Sequence, residues 1–438
     1  MNLPDAREVP ADPRSAQRLS DAGLAYRVVD VTDEKAGDAF VRAVVRGFID
    51  PEPEAEARTQ TRTAFSARRN IGVFEQDAAD GTLPVATVNS WVTPLTVPGG
   101  PGSLGGEVPM WAISAVTVSA THRRRGIARN LLEGELRAAA SAGIPIAGLT
   151  VSEATIYGRY GFSSAVPAAD VRVSDTRKAG WAAPATPGRL EYVEKEELAT
   201  ALATVHERSR RLRPGQIPGW PARWERMAGL AAGDPQAASV RGVRYRDAAG
   251  EIRGVVAYTI TESPEAAKVE MAIQYLGAET DEALSALWGF AVNHDLVTTV
   301  TAHLRPVDDP LPWLVVDQRA VEVAVHDHGW LRVLDVPAAL AARSYRADLD
   351  LVLRVEDPLG LADGTWRFRV SGGAATLEPV QGDPQLTVDV STLSALYVGG
   401  VSVSQLHAAG RIQASDGVVD ALDAAFRPTR AAHLGIWY

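Results

Sequence analysis

The sequence predicts an α/β (α+β) protein built of three modules, two of which repeat one another. Three observations carry this. A strand with apolar residues on both faces, MWAISAVTVS (residues 110–119), is followed by a loop, a stretch of helical period and a further apolar strand. The same order of hairpin, strand, helix and strand recurs between about residues 240 and 304, without sequence identity. From residue 323 the pattern changes to alternating strands and short helices. A chain of 438 residues is long enough for three cores at roughly 150 residues per domain. The expected modules are 1–168, 169–322 and 323–438.

The opening residues, MNLPDAREVPADPRSAQ, hold early Pro and Asp and read as a frayed tail. A helix is expected over 33–48, ending before the Pro/Glu cluster 51–56. Strands follow at 71–75 and 84–92, then a turn at 98–106 (PGGPGSLGG). That turn lacks a following Lys-Ser/Thr, so it is not read as a phosphate loop. In THRRRGIARNLLEGELRAAASAG, residues Ile127, Leu131, Leu132, Leu136, Ala139 and Ala140 line one helical face. Gly143 and Pro145 stop this helix, and 146–151 is the next strand.

The second region reads as helix 194–211, hairpin 240–246 and 252–259, strand 269–276, helix 280–293 and strand 296–304. Its strand–helix junction, LGAETDEALSAL, carries acidic residues where the first region has RRRG. Phosphates would be repelled there, which predicts one working site and one degenerate copy. The third region reads as strands 330–333, 349–355, 365–370 and 385–390, with helices 337–343, 393–397, 403–409 and 417–426. Gly399, Gly400 and Gly410 read as turns.

The 54 acidic and 44 basic residues give a formal net charge of −10, which disfavours nonspecific nucleic-acid binding. The absence of cysteine excludes disulfides, thiolate catalysis and Cys-ligated metal. No apolar run reaches the roughly 18 residues of a membrane span, and the N-terminus lacks a signal-peptide core. A cytoplasmic location is expected, with secretion not excluded.

The chemistry points to Arg123-Arg124-Arg125-Gly126-Ile127-Ala128, between the buried strand and the amphipathic helix. A helix N-terminus offers unpaired N–H groups and partial positive charge, small residues at Gly126 and Ala128 let backbone approach a pyrophosphate, and Arg123 and Arg124 add charged donors. The block ISAVTVSATHRRRGIARNLL resembles the acetyl-CoA motif of the GNAT N-acetyltransferase superfamily. SEATIYGRYGF (152–162) resembles a block of the Enhanced intracellular survival (Eis) acetyltransferases, and the likeness continues through WGFAVNHDLV, DPLPWLVVD, WLRVLDVPAALAARSY and LDAAF. It implies two tandem GNAT-like domains, the second without cofactor, then a sterol-carrier-protein-like domain. It further implies a homo-hexamer that acetylates primary amines, on aminoglycosides, lysine side chains or polyamines, with acetyl-CoA as cosubstrate and no metal.

Residue by residue, the resemblance assigns the backbone of Val116 and Val118 to pantetheine and Arg123, Arg124, Gly126 and Ala128 to the pyrophosphate. It assigns Ser152 to cofactor contact, Tyr157 to the general acid, and Tyr438 to an aromatic residue bearing a functional carboxylate. Asp50 matches an acidic residue of the amine pocket, while the family's pocket tryptophan has no clear counterpart around Gln60. Glu153 is either an alternative base or a helix cap.

His326 and His328 flank Asp327 without a third ligand at metal spacing, and Arg210, Arg211 and Arg213 read as a solvated helix end. Trp437 reads as exposed tail. The function expected is direct attack of an amine on the acetyl-CoA thioester in a ternary complex, with Tyr157 donating to the leaving thiolate. The alternative is a lipid or sterol carrier in which the GNAT parts are scaffold.

Overall fold

The structure, a computed structural model, describes residues 3–100, 102–262 and 268–438; Met1, Asn2 and Pro101, within the expected tail and turn, lie outside the described residues. The strands, in chain order, are Leu24–Val28 (β1), Arg69–Glu75 (β2), Ala86–Val97 (β3), Gly106–Val118 (β4), Ile146–Thr150 (β5) and Ser163–Val173 (β6). They continue with Arg189–Val193 (β7), Arg241–Arg246 (β8), Ile252–Glu262 (β9), Val269–Ala278 (β10), Thr299–Arg305 (β11) and Val321–Val333 (β12). These twelve form one sheet in the order β1-β2-β3-β4-β5-β12-β6-β11-β10-β9-β8-β7.

The repeat is visible in that order. The parallel pair β4/β5, bridged by the helix Ile127–Ser141, is matched by the parallel pair β10/β11, bridged by Asp281–Val292. The two halves exchange strands at the centre: β6 pairs with β11, β12 pairs with β5, and β6 and β12 pair with each other from Val321↔Val173 to Leu331↔Ser163. Positions 168 and 322 therefore lie inside strands that bind the halves together.

The third module is a four-stranded sheet, β15-β14-β13-β16, formed by Leu349–Glu356 (β13), Gly364–Ser371 (β14), Ala374–Pro379 (β15) and Leu386–Asp389 (β16). In β13 and β14 the odd side chains from Leu349 to Val355 and the even ones from Trp366 to Val370 are buried, a period of two that leaves one face wet. Gly399 (φ 73°) and Gly410 (φ 71°) stand at turns, as expected. No helix among the described residues is long and apolar enough to cross a membrane.

Two expectations are corrected. The N-terminal segment is not frayed. Asp12 caps the helix Pro13–Ser20, Leu19 is fully buried, and Arg137 pairs with Asp12 at 2.8 Å. The arginine cluster is not a solvated helix end either. Arg210 is buried between Glu107 (2.6 Å) and Glu207 (2.7 Å), Arg211 donates to Gly105 O (2.9 Å), and Arg213 pairs with Asp308 (2.5 Å). Arg210 and Arg211 thereby tie the second module to the loop entering β4.

Candidate active site

The strand β4 carries the cleft. It pairs with β5 only at Met110↔Ile146, Trp111↔Ala147 and Ala112↔Gly148. Just beyond, Ala115 takes φ 51°, and two residues of β4, Ala115 and Val116, face the single residue Val88 of β3. Such a bulge bends a strand and raises its twist. From Ile113 to Val118, β4 is paired on its β3 side alone, so its other edge presents backbone donors and acceptors to an extended ligand. Val116 and Val118 lie half-buried on this stretch.

The chain leaves β4 and enters the helix Ile127–Ser141 through residues 119–126. Arg124 (φ 63°) and Gly126 (φ 74°) are both left-handed, and no side chain caps the helix. Its first N–H groups are thus free for an anion. Arg125 is held by Ala22 O (3.0 Å) and Glu75 (3.7 Å), and His122 also bonds Glu75 (2.6 Å). Arg123 and Arg124 are exposed and have no ion pair among the described residues; Gly126 is exposed and Ala128 half-buried.

Tyr157 ends the short helix Ala154–Tyr157 after β5 and is buried with its ring 6.3 Å from Phe162. Burial pushes its hydroxyl pKa above the ordinary value; the Ser152 hydroxyl opposes this and the Glu153 charge adds to it. Ser152 and Glu153 are exposed. Glu153 stands at the N-cap position of this helix, but its side chain makes no capping bond; its carboxylate accepts from Thr155 Oγ1 at 3.2 Å.

Tyr438 reaches the cleft from the other face of the sheet. Tyr157 packs in the cluster of Trp111, Ile113 and Leu149, whereas Tyr438 packs with that of Met110, Ala112 and Ile146. Thr150 Oγ1 on β5 donates to the main-chain oxygen of Tyr438 and accepts from its N–H (3.3 Å). The tail leading there is held throughout. His433 bonds Leu304 O (2.7 Å) and Gln216 (3.0 Å), Arg223 donates to Gly435 O (3.1 Å), and His328 Nε2 donates to Ile436 O (2.9 Å). Trp437 is half exposed and its ring lies 5.0 Å from His328. Burial drives the His328 pKa down to about 4, so it stays neutral and serves the tail. No group of three or more metal-ligating side chains is assembled among the described residues.

Asp50 is exposed just beyond the helix Glu34–Gly47, whose end packs so closely on β4 that a Cβ on Gly47 would lie 2.4 Å from the Thr117 side chain. Ile49, between Gly47 and Asp50, holds φ 65° and is almost fully exposed.

An aromatic wall that no sequence motif announced lies at the apex of the cleft. Trp91 of β3 stands opposite Ala112, the last residue of β4 paired to β5. Its ring lies 5.4 Å from Tyr438 and 6.4 Å from Trp220 of the second module. The Arg68 guanidinium stacks over Trp91 at 4.0 Å. Only the tertiary fold brings Trp91 and Trp220 together.

The corresponding gap of the second module is bordered by the C-terminal tail. β10 and β11 pair from Glu270↔Thr299 to Ile273↔Ala302, and an irregularity follows in β10. His433 and Gly435 of the tail line the opening with Leu276–Ala278, and Thr280 caps the helix Asp281–Val292 through Ala283 N (3.1 Å). Glu279 pairs with Arg253 (3.0 Å) and Asp281 with Arg430 (3.1 Å).

Comparison with known proteins finds two acetyltransferase matches followed by a third of another kind. Acetyltransferase (GNAT) domain families match residues 29–165 and 215–333, and a sterol carrier protein domain family matches 336–435. An uncharacterized N-acetyltransferase of Streptomyces avermitilis is 35% identical over 400 residues, covering 89% of this chain and 93% of that protein. N-acetyltransferase Eis of Mycobacterium tuberculosis is 30% identical over 392 residues, covering 86% and 90%. Eis1 from Mycobacterium abscessus superposes with TM-score 0.80 at 30% identity, over 95% of this chain and all of that one.

The chain belongs to the Eis family of N-acetyltransferases. It is an enzyme of two GNAT modules followed by a sterol-carrier-like module. The lipid-carrier alternative is not favoured. The interior of the third module of this Eis-family protein is filled by Tyr345, Phe368, Tyr397 and Phe426 around buried Arg343, whose guanidinium donates to Tyr397 O and Phe426 O. A charged group at the centre of that core leaves it a poor host for a sterol.

Proposed function

We propose that the first module transfers the acetyl group of acetyl-CoA to a primary amine by direct attack, in a ternary complex. The observation that carries this is the contrast between two equivalent openings. That between β4 and β5 ends at an uncapped helix start beside two unpaired arginines, and its counterpart ends at a helix start capped by Thr280, with Glu279 and Asp281 in ion pairs and tail residues His433 and Gly435 lining the cavity beside it. Pantetheine would extend along Val116 and Val118, with the pyrophosphate on Arg123, Arg124, Gly126 and Ala128 and Ser152 beside the thiol end. Lysine side chains, polyamines and aminoglycosides are the acceptor classes the family suggests, with Asp50 near the entrance. A homo-hexamer belongs to the same proposal; Trp313, Val316 and Val325, left exposed, offer apolar surface for it.

In this mechanism the amine nitrogen attacks the thioester carbonyl, the C–S bond breaks, and the proton of Tyr157 goes to the departing sulfur. The ammonium proton leaves through water toward the carboxyl group of Tyr438, the last residue of the sequence. The cleft acts chiefly by fixing the reacting atoms in line. Support comes from the approach of the two tyrosines to β5 from opposite faces.

Arg124→Glu puts negative charge beside the phosphates and is expected to raise the KM for acetyl-CoA about tenfold or more, as loss of a charge-assisted contact does. An unchanged KM in steady-state assays would move the pyrophosphate elsewhere. Appending three residues after Tyr438 keeps the ring and moves the carboxyl group; kcat is expected to fall about 10²-fold, within the range for acid–base groups. Full activity in the folded, extended protein would leave Glu153 or a water chain as the base.

A further inference from the structure

Resting on the proposed transfer reaction, we infer that Arg332, held by Asp357 of the third module, is a positioning residue for Tyr157. It fixes the turn that follows the general acid, so the sterol-carrier-like module forms part of the support of the active site. The basis is a buried charge whose donors are divided between two modules. Arg332 lies on β12 opposite Ala147 of β5, and its side chain is wholly removed from solvent. Nη2 donates to Asp357 Oδ2 at 2.6 Å, Nη1 to the neighbouring Val333 O, and Nε to Tyr160 O at 3.2 Å. Tyr160 ends the helical turn Gly158–Tyr160, which begins where the helix of Tyr157 stops. One guanidinium therefore joins the third module to the backbone just beyond the general acid.

Further contacts from the third module bear on the same turn. Gly161 takes φ 86°, and a Cβ there would lie 2.8 Å from Val390 Cγ1 and 3.1 Å from Arg332 Nε. Val390 opens the helix Val390–Leu396, and Ser394 of that helix accepts from Val333 N at 3.0 Å. The Asp357 carboxylate also organises its own loop, accepting from the N–H groups of Leu359 (3.1 Å), Leu361 (2.9 Å) and Ala362 (2.8 Å). Leu359 and Leu361 pack in turn against the cluster that holds Tyr157 and Phe162. The buried pairs Arg69–Glu135 and Arg305–Asp309 lie each within one module and do not reach this turn.

Tyr157 needs such support. Its helix has four residues and no side-chain cap, too short to hold an orientation by itself. A general acid works only within hydrogen-bond reach of the atom it protonates. Directional bonds to the backbone at Tyr160 set that reach, which apolar packing alone would leave loose.

The test measures thiol release from acetyl-CoA by the whole enzyme, with spermidine, an aminoglycoside and a lysine peptide as acceptors. Arg332→Met is made alone and together with Tyr157→Phe, and thermal melts establish folding. Arg332→Met is expected to lower kcat about tenfold or more, as a displacement of about 1 Å at a reacting group does, with the KM for acetyl-CoA changed less than about twofold. In the Tyr157→Phe background the same substitution should cost less than about twofold, because no hydroxyl remains to be positioned. Arg332→Lys, which keeps a positive charge facing Asp357, should retain part of the rate. A residue that only holds the fold together would leave kcat of the folded enzyme unchanged, or lower it by the same factor in both backgrounds. Either result overturns the inference. Asp357→Asn carries the same comparison if Arg332→Met does not fold, and failure of all three variants to fold makes the pair a folding element and overturns it too. Equal factors in both backgrounds, beside a large loss in Tyr157→Phe, sink this inference alone. Full activity in Tyr157→Phe sinks the general-acid assignment and this inference with it. No thiol release by the wild type with any of the three amines sinks the transfer reaction itself, and the inference falls with it.

Discussion

Tyr157→Phe is expected to lower kcat by about 10²- to 10⁴-fold, the range of a positioned general acid, with little change in the KM for acetyl-CoA. The substitution isolates one atom. The ring packs 6.3 Å from Phe162 in a buried cluster, and phenylalanine fills the same volume. The melting temperature should therefore move little. What is lost is a hydroxyl whose pKa is raised by burial, so it stays protonated across the neutral range and holds a proton for the thiolate. Because the pKa lies above its ordinary value of about 10, activity that depends on the protonated form should persist to higher pH than that value alone predicts. A loss below threefold, measured by thiol release at saturating acetyl-CoA, would leave Tyr157 a packing residue.

Glu135→Ala is expected to destabilise the first module by about 3–5 kcal/mol, the cost of breaking a buried ion pair by removing one partner. Glu135 and Arg69 are both fully buried, with Nε 3.2 Å from Oε1. The carboxylate also accepts from Ser90 Oγ (2.5 Å) and Trp111 Nε1 (3.1 Å), and Arg69 donates onward to Val9 O and Pro10 O (3.0 Å). One charge thus joins the helix behind the cleft to β2, β3, β4 and the N-terminal segment. Its removal strands a guanidinium and two donors away from water. The double variant Arg69→Met, Glu135→Leu should recover much of the loss, since apolar groups of similar volume can replace a buried pair. Urea unfolding followed by tryptophan fluorescence measures both; a loss under 1 kcal/mol in the single variant would show that the pair contributes little.

The same pair marks where reading the sequence stops. RRRGIA and the strand before it were legible as a strand, a loop and a helix start because these are adjacent in the chain. Glu135 sits in a helix whose apolar period was equally plain, yet nothing local says that it is buried. Its partner is 66 residues away. Arg210, read as solvated, failed for the same reason: its carboxylate on Glu107 arrives from another module. The helix Ala55–Phe65, with no fully buried residue, gave no period to find.

By itself the sequence determined the three modules, the repeated strand–helix–strand order, and a basic helix start whose counterpart in the second module is acidic. These depend on periodicity and on residue types at neighbouring positions. The tertiary structure alone decided the exchange of β6 and β12 between the halves, the tail threaded past His328 to Thr150, and the wall of Trp91, Trp220 and Arg68. Each of these depends on which distant segments share a desolvated space. Whether an arginine is a surface charge or an unpaired cation against an aromatic wall depends on what the rest of the chain places around it.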